Sequence, residues 1–555
     1  MRTIFTFMNY PEIPLAQSVL QLFKAKNICH IVISPGSRNA PLTIGFSSDD
    51  FFQCYSIADE RSAAFFALGM ARQLNETVAL LCTSGSAVLN YYPAVAEAFY
   101  SQIPLIVCSA DRPLSKIDIG DGQTIRQQNV LSNHTVFNAN LTEEANADND
   151  KLIQQAIHVA ETLKGPVHIN IPFEEPLYNT VNTIDYVPTL VDFPVNETEK
   201  ISWEKFQIHW KNSSKILVLI GSQNPNILSK DTIKKLEQSP NIVVLTEISS
   251  NVRSPYFVNQ IDTLITSFDD ADFKSLQPEI LVTIGGMIVS KRIKKFLRNY
   301  KPAQHWHVDL SRAYDTFGAL TNEIKATPEE FFSQMLNGSI QSNYQVNVLD
   351  IISQRQEKQR VFSGNVPYSD WAVYETIWKN LPDNIHLEIS NSASIRYAQL
   401  FNTKENTPVF CNRGTSGIDG STSTAIGAAV HNDKTTLLIT GDVSFFYDSN
   451  ALWNNYIPKN FKIIVVNNGG GGIFRILPGH QEQPIFNQYF ETQHKLSAKY
   501  LAKMFNFDYY FAEDTPSLNN SLNKLWTNNK PTILEVFTPT QINNQVLKQY
   551  FESLK

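Results

Sequence analysis

The sequence predicts an α/β protein of three doubly wound domains with parallel sheets. Short apolar runs rich in β-branched residues alternate with longer helical stretches from end to end, which is the pattern of sheets covered on both faces. The runs fall into three blocks separated by irregular segments, and 555 residues are too many for a single core.

In the first block the runs are HIVISPGS (30–37), FQCYSIADE (52–60), TVALLCTSG (77–85), IPLIVCSAD (103–111) and GPVHINIP (165–172), each followed by a helix-like stretch such as RSAAFFALGMARQL. The segment 174–200 has no helical period and several prolines, and reads as a linker. The second block carries KILVLIGS (215–222), NIVVLTE (241–247), EILVTIGG (279–286) and HWHVDL (305–310). A charged segment ending in loop residues, 353–370, marks the next boundary. The third block repeats the rhythm with NIHLEIS (384–390), PVFCNRG (408–414), TTLLITGD (435–442), KIIVVNN (462–468) and PTILEVF (531–537). The domains are accordingly expected at 1–185, 198–345 and 366–555. Strand order is not readable from these patterns, but in such sheets ligands bind beyond the carboxyl ends of the strands, so the informative residues should follow the apolar runs.

Composition narrows the function. Charged residues make up 18% of the chain and the net charge is −7, so nothing pulls the whole protein toward nucleic acid or an anionic membrane. The five cysteines are scattered with no C-x-x-C pair, as expected of reduced thiols in a cytoplasmic protein. The N-terminus makes a poor signal peptide, and no run approaches the roughly 20 apolar residues of a membrane span.

Two constellations stand out at strand ends. In the third block Asp442 directly follows a buried run, and Asn468 closes the next one before Gly469–Gly472. A carboxylate and an amide oxygen on neighbouring loops suit a hard cation such as Mg²⁺, and consecutive glycines let a phosphate approach bare backbone. A Gly-Asp after a strand can equally be a plain turn; the NNGGGG that follows argues for the cation. In the first block Glu60 ends the second run. It could be a helix N-terminal carboxylate stabilised by the helix dipole, or a buried acid with a raised pKa. Basic residues also gather at strand ends of this acidic chain: Arg38, Arg112, Lys291, Arg292, Arg396 and Arg413. Such a set suits substrates carrying several carboxylates, which arginine grips bidentately.

Gly441-Asp442 followed by Asn467-Asn468 resembles the diphosphate and metal motif of thiamine-diphosphate-dependent enzymes. The blocks SPGSRNAPL, DERSAAFFALG, TSGSAVLNYYPAVAEA, ADRP with GQTIRQ, NRGTSGIDG and GDVSFFYDSNAL resemble, in order, those of the 2-succinyl-5-enolpyruvyl-6-hydroxy-3-cyclohexene-1-carboxylate synthase family of menaquinone biosynthesis. The likeness spans essentially the whole chain and is clearest in the outer blocks. It implies the three-domain thiamine-diphosphate-enzyme architecture: a pyrimidine-binding domain, a central domain and a diphosphate-binding domain. Val443 departs from the superfamily pattern, which usually has glycine after the aspartate.

The resemblance also implies the chemistry. Thiamine diphosphate would be held through Mg²⁺ or Mn²⁺ on Asp442, Asn468 and the Gly470 carbonyl, with Glu60 exchanging a proton with the aminopyrimidine. Ser84, Gly85, Gly441 and Ser444 would contact the cofactor, Ile418 would bend it, and Ile473, Phe474 and Leu477 would form an apolar wall. 2-Oxoglutarate would lose CO₂ and its succinyl carbanion would add to isochorismate. Arg396 and Ser392 would hold the side-chain carboxylate of 2-oxoglutarate. Arg38, Arg112, Gln123, Lys291 and Arg292 would serve isochorismate, and Arg413 would lie beside the reacting group. The expected assembly is a homodimer or homotetramer. The alternative within the superfamily is another thiamine-diphosphate-dependent 2-oxo acid decarboxylase or carboligase.

Overall fold

The computed structural model describes residues 9–194, 200–338, 340–476 and 483–555. Three parallel sheets correspond to the three blocks. The first contains β1 (His30–Ile33), β2 (Gln53–Ser56), β3 (Val78–Cys82), β4 (Leu105–Asp111), β5 (Phe137–Asn140) and β6 (Val167–Pro172), in the order β2-β1-β3-β4-β6-β5. The second contains β7 (Ile216–Ile220), β8 (Ile242–Thr246), β9 (Ile280–Ile284), β10 (Gln304–Val308) and β11 (Asn322–Ile324), in the order β8-β7-β9-β10-β11. The third contains β12 (His386–Ile389), β13 (Val409–Phe410), β14 (Thr436–Gly441), β15 (Phe461–Asn467), β16 (Asp508–Ala512) and β17 (Thr532–Phe537). Its order, β13-β12-β14-β15-β17-β16, repeats that of the first sheet.

Central strands such as β3, β7 and β9 are buried along their whole length, as a parallel sheet covered on both faces requires. In all three sheets the first strand lies beside the third, so chain direction across the sheet reverses between them. That reversal opens a crevice at the strands' carboxyl ends, the usual place for a ligand.

Local structure departs from expectation in three places. The helix Tyr344–Ser363 runs through most of the segment expected to mark a boundary, leaving 364–369 as the connection. β2 ends at Ser56, so Glu60 does not close a strand but opens the helix Glu60–Leu74. The strands β5, β11 and β16, which the apolar runs did not reveal, all lie at sheet edges.

The chain forms two compact units. One holds the first sheet with Gly414–Asp433 and Tyr447–Phe461; the other holds the second and third sheets. In the first unit the helices Glu60–Leu74 and Ser421–Val430 meet backbone to backbone. A Cβ on Gly69 would lie 2.0 Å from the Thr424 carbonyl oxygen, and one on Gly427 would lie 2.0 Å from that of Phe66. Neither oxygen can swing away as a side chain would. Gly69→Val should therefore destabilise the unit by about 1–3 kcal/mol through overpacking, read as a lower thermal unfolding midpoint. An unchanged midpoint would show that the helices separate freely.

Candidate functional site

In the second unit the crevice of the third sheet collects oxygen-bearing side chains. Asp442 follows β14, and its Oδ2 accepts hydrogen bonds from the Gly469 and Gly470 amides at 2.8 and 3.0 Å. His494 Nε2 lies 3.3 Å from the same oxygen, an ion-pair distance rather than an aligned hydrogen bond. That carboxylate raises the imidazole's pKa. The two asparagines after β15 do different work. Asn467 is structural, its amide nitrogen donating to Glu535 Oε1 and the Leu496 carbonyl. Asn468 donates from Nδ2 to Asp370 at 3.0 Å, while its Oδ1 is buried and has no partner.

The glycines answer to space. Gly469 has φ +79°, and a Cβ on Gly470 would lie 2.6 Å from the Glu491 carbonyl oxygen. That carbonyl accepts from the Gly471 amide at 2.6 Å. The Glu491 side chain is itself held in a buried ion pair with Arg475, whose Nη2 donates to Oε2 at 2.7 Å. Sequence reasoning missed both Arg475 and Glu491, because one long-range pair leaves no local pattern.

Tested against a divalent metal, these residues fit. Asp442 supplies a carboxylate, Asn468 a buried oxygen with no partner in the protein, and Gly470 a backbone carbonyl that accepts one hydrogen bond, from the Gly472 amide at 3.0 Å, and has a second lone pair to offer. A set made only of oxygens suits Mg²⁺ or Mn²⁺. Asp370, also missed from sequence, lies behind the set; burial pushes its carboxyl up to about 6.

A cleft of about 310 Å³, within the range of small-molecule sites, opens in the same unit. Lys291, Arg292 and Arg396 line it together with Asp262 and Ile473. Lys291 and Arg292 begin the helix Lys291–Asn299, capped by Ser290. The start of that helix is held by buried Glu247, which accepts from the Val289 and Ser290 amides at 2.6 and 2.8 Å. Burial pushes Glu247 up to about 7. Arg396 donates to the Ser392 carbonyl, and Ser392 adopts φ +68°. Burial, then the neighbouring Arg413, lowers the Arg396 pKa, while Asp262 opposes the shift. Arg413 donates to Asn391 Oδ1 at 2.7 Å. Phe474 packs edge-on to Phe490 and is partly exposed; Leu477 lies outside the described residues.

In the first unit Glu60 occupies the first helical position after Asp59, whose side chain caps the helix. Burial raises the Glu60 pKa, a backbone hydrogen bond opposes it, and Asp59 adds to it. Glu60 is thus half-buried at the helix N-terminus, and burial outweighs the backbone hydrogen bond that opposes it. Beyond β1, β3 and β4 the structure brings together Arg38, whose amide donates to Thr83 Oγ1, with Ser84, Gly85, Arg112 and Gln123. Arg112 Nη1 donates to Ser84 Oγ at 3.0 Å, and Gly85, at φ +86°, packs against Gln123. Arg38 is 5% exposed and already engaged, donating to the Phe173 carbonyl at 2.9 Å and pairing with Glu175 at 3.0 Å. Ile418 sits, part-buried, in a loop anchored by Glu97. That carboxylate accepts from the amides of Gly414 and Thr415, both at 2.7 Å. Glu97 is another residue that sequence reasoning missed.

Comparison with known proteins agrees with this chemistry. Residues 13–135 match the family described as thiamine pyrophosphate enzyme, N-terminal TPP binding domain, and residues 392–536 match its C-terminal TPP binding counterpart. The chain therefore carries both cofactor-binding domains of a thiamine pyrophosphate enzyme. Over 549 residues, 99% of this chain and all of the relative, it is 58% identical to the 2-succinyl-5-enolpyruvyl-6-hydroxy-3-cyclohexene-1-carboxylate synthase of Flavobacterium psychrophilum. Proteins of the same name from Flavobacterium johnsoniae and Christiangramia forsetii are 58% and 47% identical, again over 99% of this chain and the whole of each relative. The chain belongs to the 2-succinyl-5-enolpyruvyl-6-hydroxy-3-cyclohexene-1-carboxylate synthase family.

Proposed function

We propose that the protein decarboxylates 2-oxoglutarate and joins the remaining succinyl group to isochorismate, yielding 2-succinyl-5-enolpyruvyl-6-hydroxy-3-cyclohexene-1-carboxylate and CO₂ in menaquinone biosynthesis. The observation that carries this reading, beside family membership, is the cleft where Lys291, Arg292 and Arg396 converge: two carboxylate-bearing substrates need several cations in one place.

Thiamine diphosphate, when bound, supplies the electron sink that decarboxylation of a 2-oxo acid requires. Asp442, Asn468 and the Gly470 carbonyl hold Mg²⁺ or Mn²⁺ for its diphosphate, with Gly441 and Ser444 beside them. Glu60 would hold the exchangeable proton for the aminopyrimidine, while Ser84, Gly85 and Ile418 would orient the ring system. Arg396 and Ser392 bind the side-chain carboxylate of 2-oxoglutarate. Arg38, Arg112, Gln123, Lys291 and Arg292 receive isochorismate, and Arg413 lies by the reacting carbon. Ile473, Phe474 and Leu477 exclude water, which limits premature protonation.

The same proposal places a pyrimidine-binding domain at 1–185, a central domain at 198–345 and a diphosphate-binding domain at 366–555. One sheet in each segment supports these bounds. It also makes the protein a cytoplasmic homodimer or homotetramer. Among the described residues no helix is long and apolar enough to cross a membrane.

Purified protein with thiamine diphosphate, Mg²⁺ and 2-oxoglutarate should consume isochorismate and release CO₂ in equal amounts. Decarboxylation with no loss of isochorismate would overturn the assignment. Arg396→Ala should raise KM for 2-oxoglutarate far more than for isochorismate. Truncating one partner of a desolvated charge pair costs about 2–5 kcal/mol, or roughly 30-fold and upward in KM if it tracks affinity. An equal effect on both substrates would refute the carboxylate role.

A further inference from the structure

We propose that Asp370 is a positioning residue that fixes which end of the Asn468 amide faces the metal, an inference that rests on the metal site proposed above. Asp370 opens the helix Asp370–Lys379 and is 3% exposed. Its hydrogen bonds hold it in place: Oδ1 accepts from Thr538 Oγ1 at 2.5 Å, and its amide donates to Asn543 Oδ1 at 2.9 Å. Its Oδ2 accepts from Asn468 Nδ2 at 3.0 Å.

An asparagine side chain is a donor at one end and an acceptor at the other, with nearly the same shape either way round. Only the oxygen can bind a cation. Both Asp370 oxygens accept hydrogen bonds, from Thr538 Oγ1 and Asn468 Nδ2, so Asp370 takes the NH₂ end and leaves the Asn468 Oδ1 turned away from it. That oxygen is buried and has no hydrogen-bond partner in the protein, which leaves it open to a ligand. The Asn468 main chain is pinned as well, its carbonyl accepting from Thr540 Oγ1 at 2.6 Å. Thr538 and Thr540 both follow β17, so one strand end braces the carboxylate and the amide together. Without Asp370 the amide can turn over and present its NH₂ to the cation.

The test is Mn²⁺ affinity, read by electron paramagnetic resonance of free Mn²⁺ with thiamine diphosphate present. Residues that orient metal ligands typically contribute 10–100-fold to affinity. Asp370→Val, which removes the acceptor, should weaken Mn²⁺ by about that factor, and Asp370→Asn, which keeps an oxygen, should restore most of it. In an Asn468→Ala background Asp370→Val should cause no further loss, because there is no amide left to orient. Equal losses in both backgrounds, or no loss in either, would overturn the inference. If Asp370→Val does not fold, Thr538→Val loosens the same carboxylate and must show the same dependence on Asn468. Should Asp442→Ala and Asn468→Ala both leave Mn²⁺ affinity intact, the metal site itself falls. Should they weaken it while Asp370→Val does not, only the positioning role falls.

Discussion

Glu60→Gln is expected to lower turnover by about 10²–10⁴-fold, the usual contribution of a positioned acid–base group, while cofactor binding persists. Glutamine keeps the shape and a hydrogen bond but cannot exchange a proton. Burial raises the Glu60 pKa from its ordinary value, so the side chain gives up its proton less readily than an exposed glutamate. The substitution leaves Asp59 free to cap the helix through the Ser62 amide, so folding should be unaffected. Turnover at saturating cofactor and a separate titration of thiamine diphosphate would divide catalysis from binding. Turnover near that of the parent would remove Glu60 from the mechanism.

Asp442→Ala should act on binding instead. It removes the ligand charge that offsets the metal and strips the Gly469 and Gly470 amides of their shared acceptor. Truncating one partner of a desolvated charge pair costs about 2–5 kcal/mol, so thiamine diphosphate affinity measured with Mg²⁺ should fall roughly 30-fold or more. Titrating the cofactor calorimetrically with and without Mg²⁺ also checks the cause. The parent should bind far better with Mg²⁺, and the variant should have lost most of that difference. A variant that binds as tightly as the parent would refute the metal assignment.

Much of this was legible in the sequence because the relevant signals are local. β3, β7, β9 and β15 announce themselves as apolar runs, since a central parallel strand must bury both faces. Asp442 and Asn468 are visible because each directly follows such a run, where a doubly wound sheet presents its ligands. The edge strands β5, β11 and β16 escaped for the converse reason. These three edge strands are covered less completely than the edge strand β8, which is buried throughout, so Phe137–Asn140, Asn322–Ile324 and Asp508–Ala512 carry polar residues and break the apolar pattern.

By itself, then, the sequence determined the α/β class, the three blocks and the family. Tertiary structure alone decided which groups support them. Asp370 lies 98 positions from Asn468, and Glu97 lies 317 from Gly414. Glu247 holds Ser290 across 43 residues of chain. Each is an acidic residue whose role depends on which amide meets its carboxylate. Hydrogen bonds of this kind act over about 3 Å of space with no constraint on separation along the chain. No periodicity records them, and only the folded strand ends bring the partners within reach.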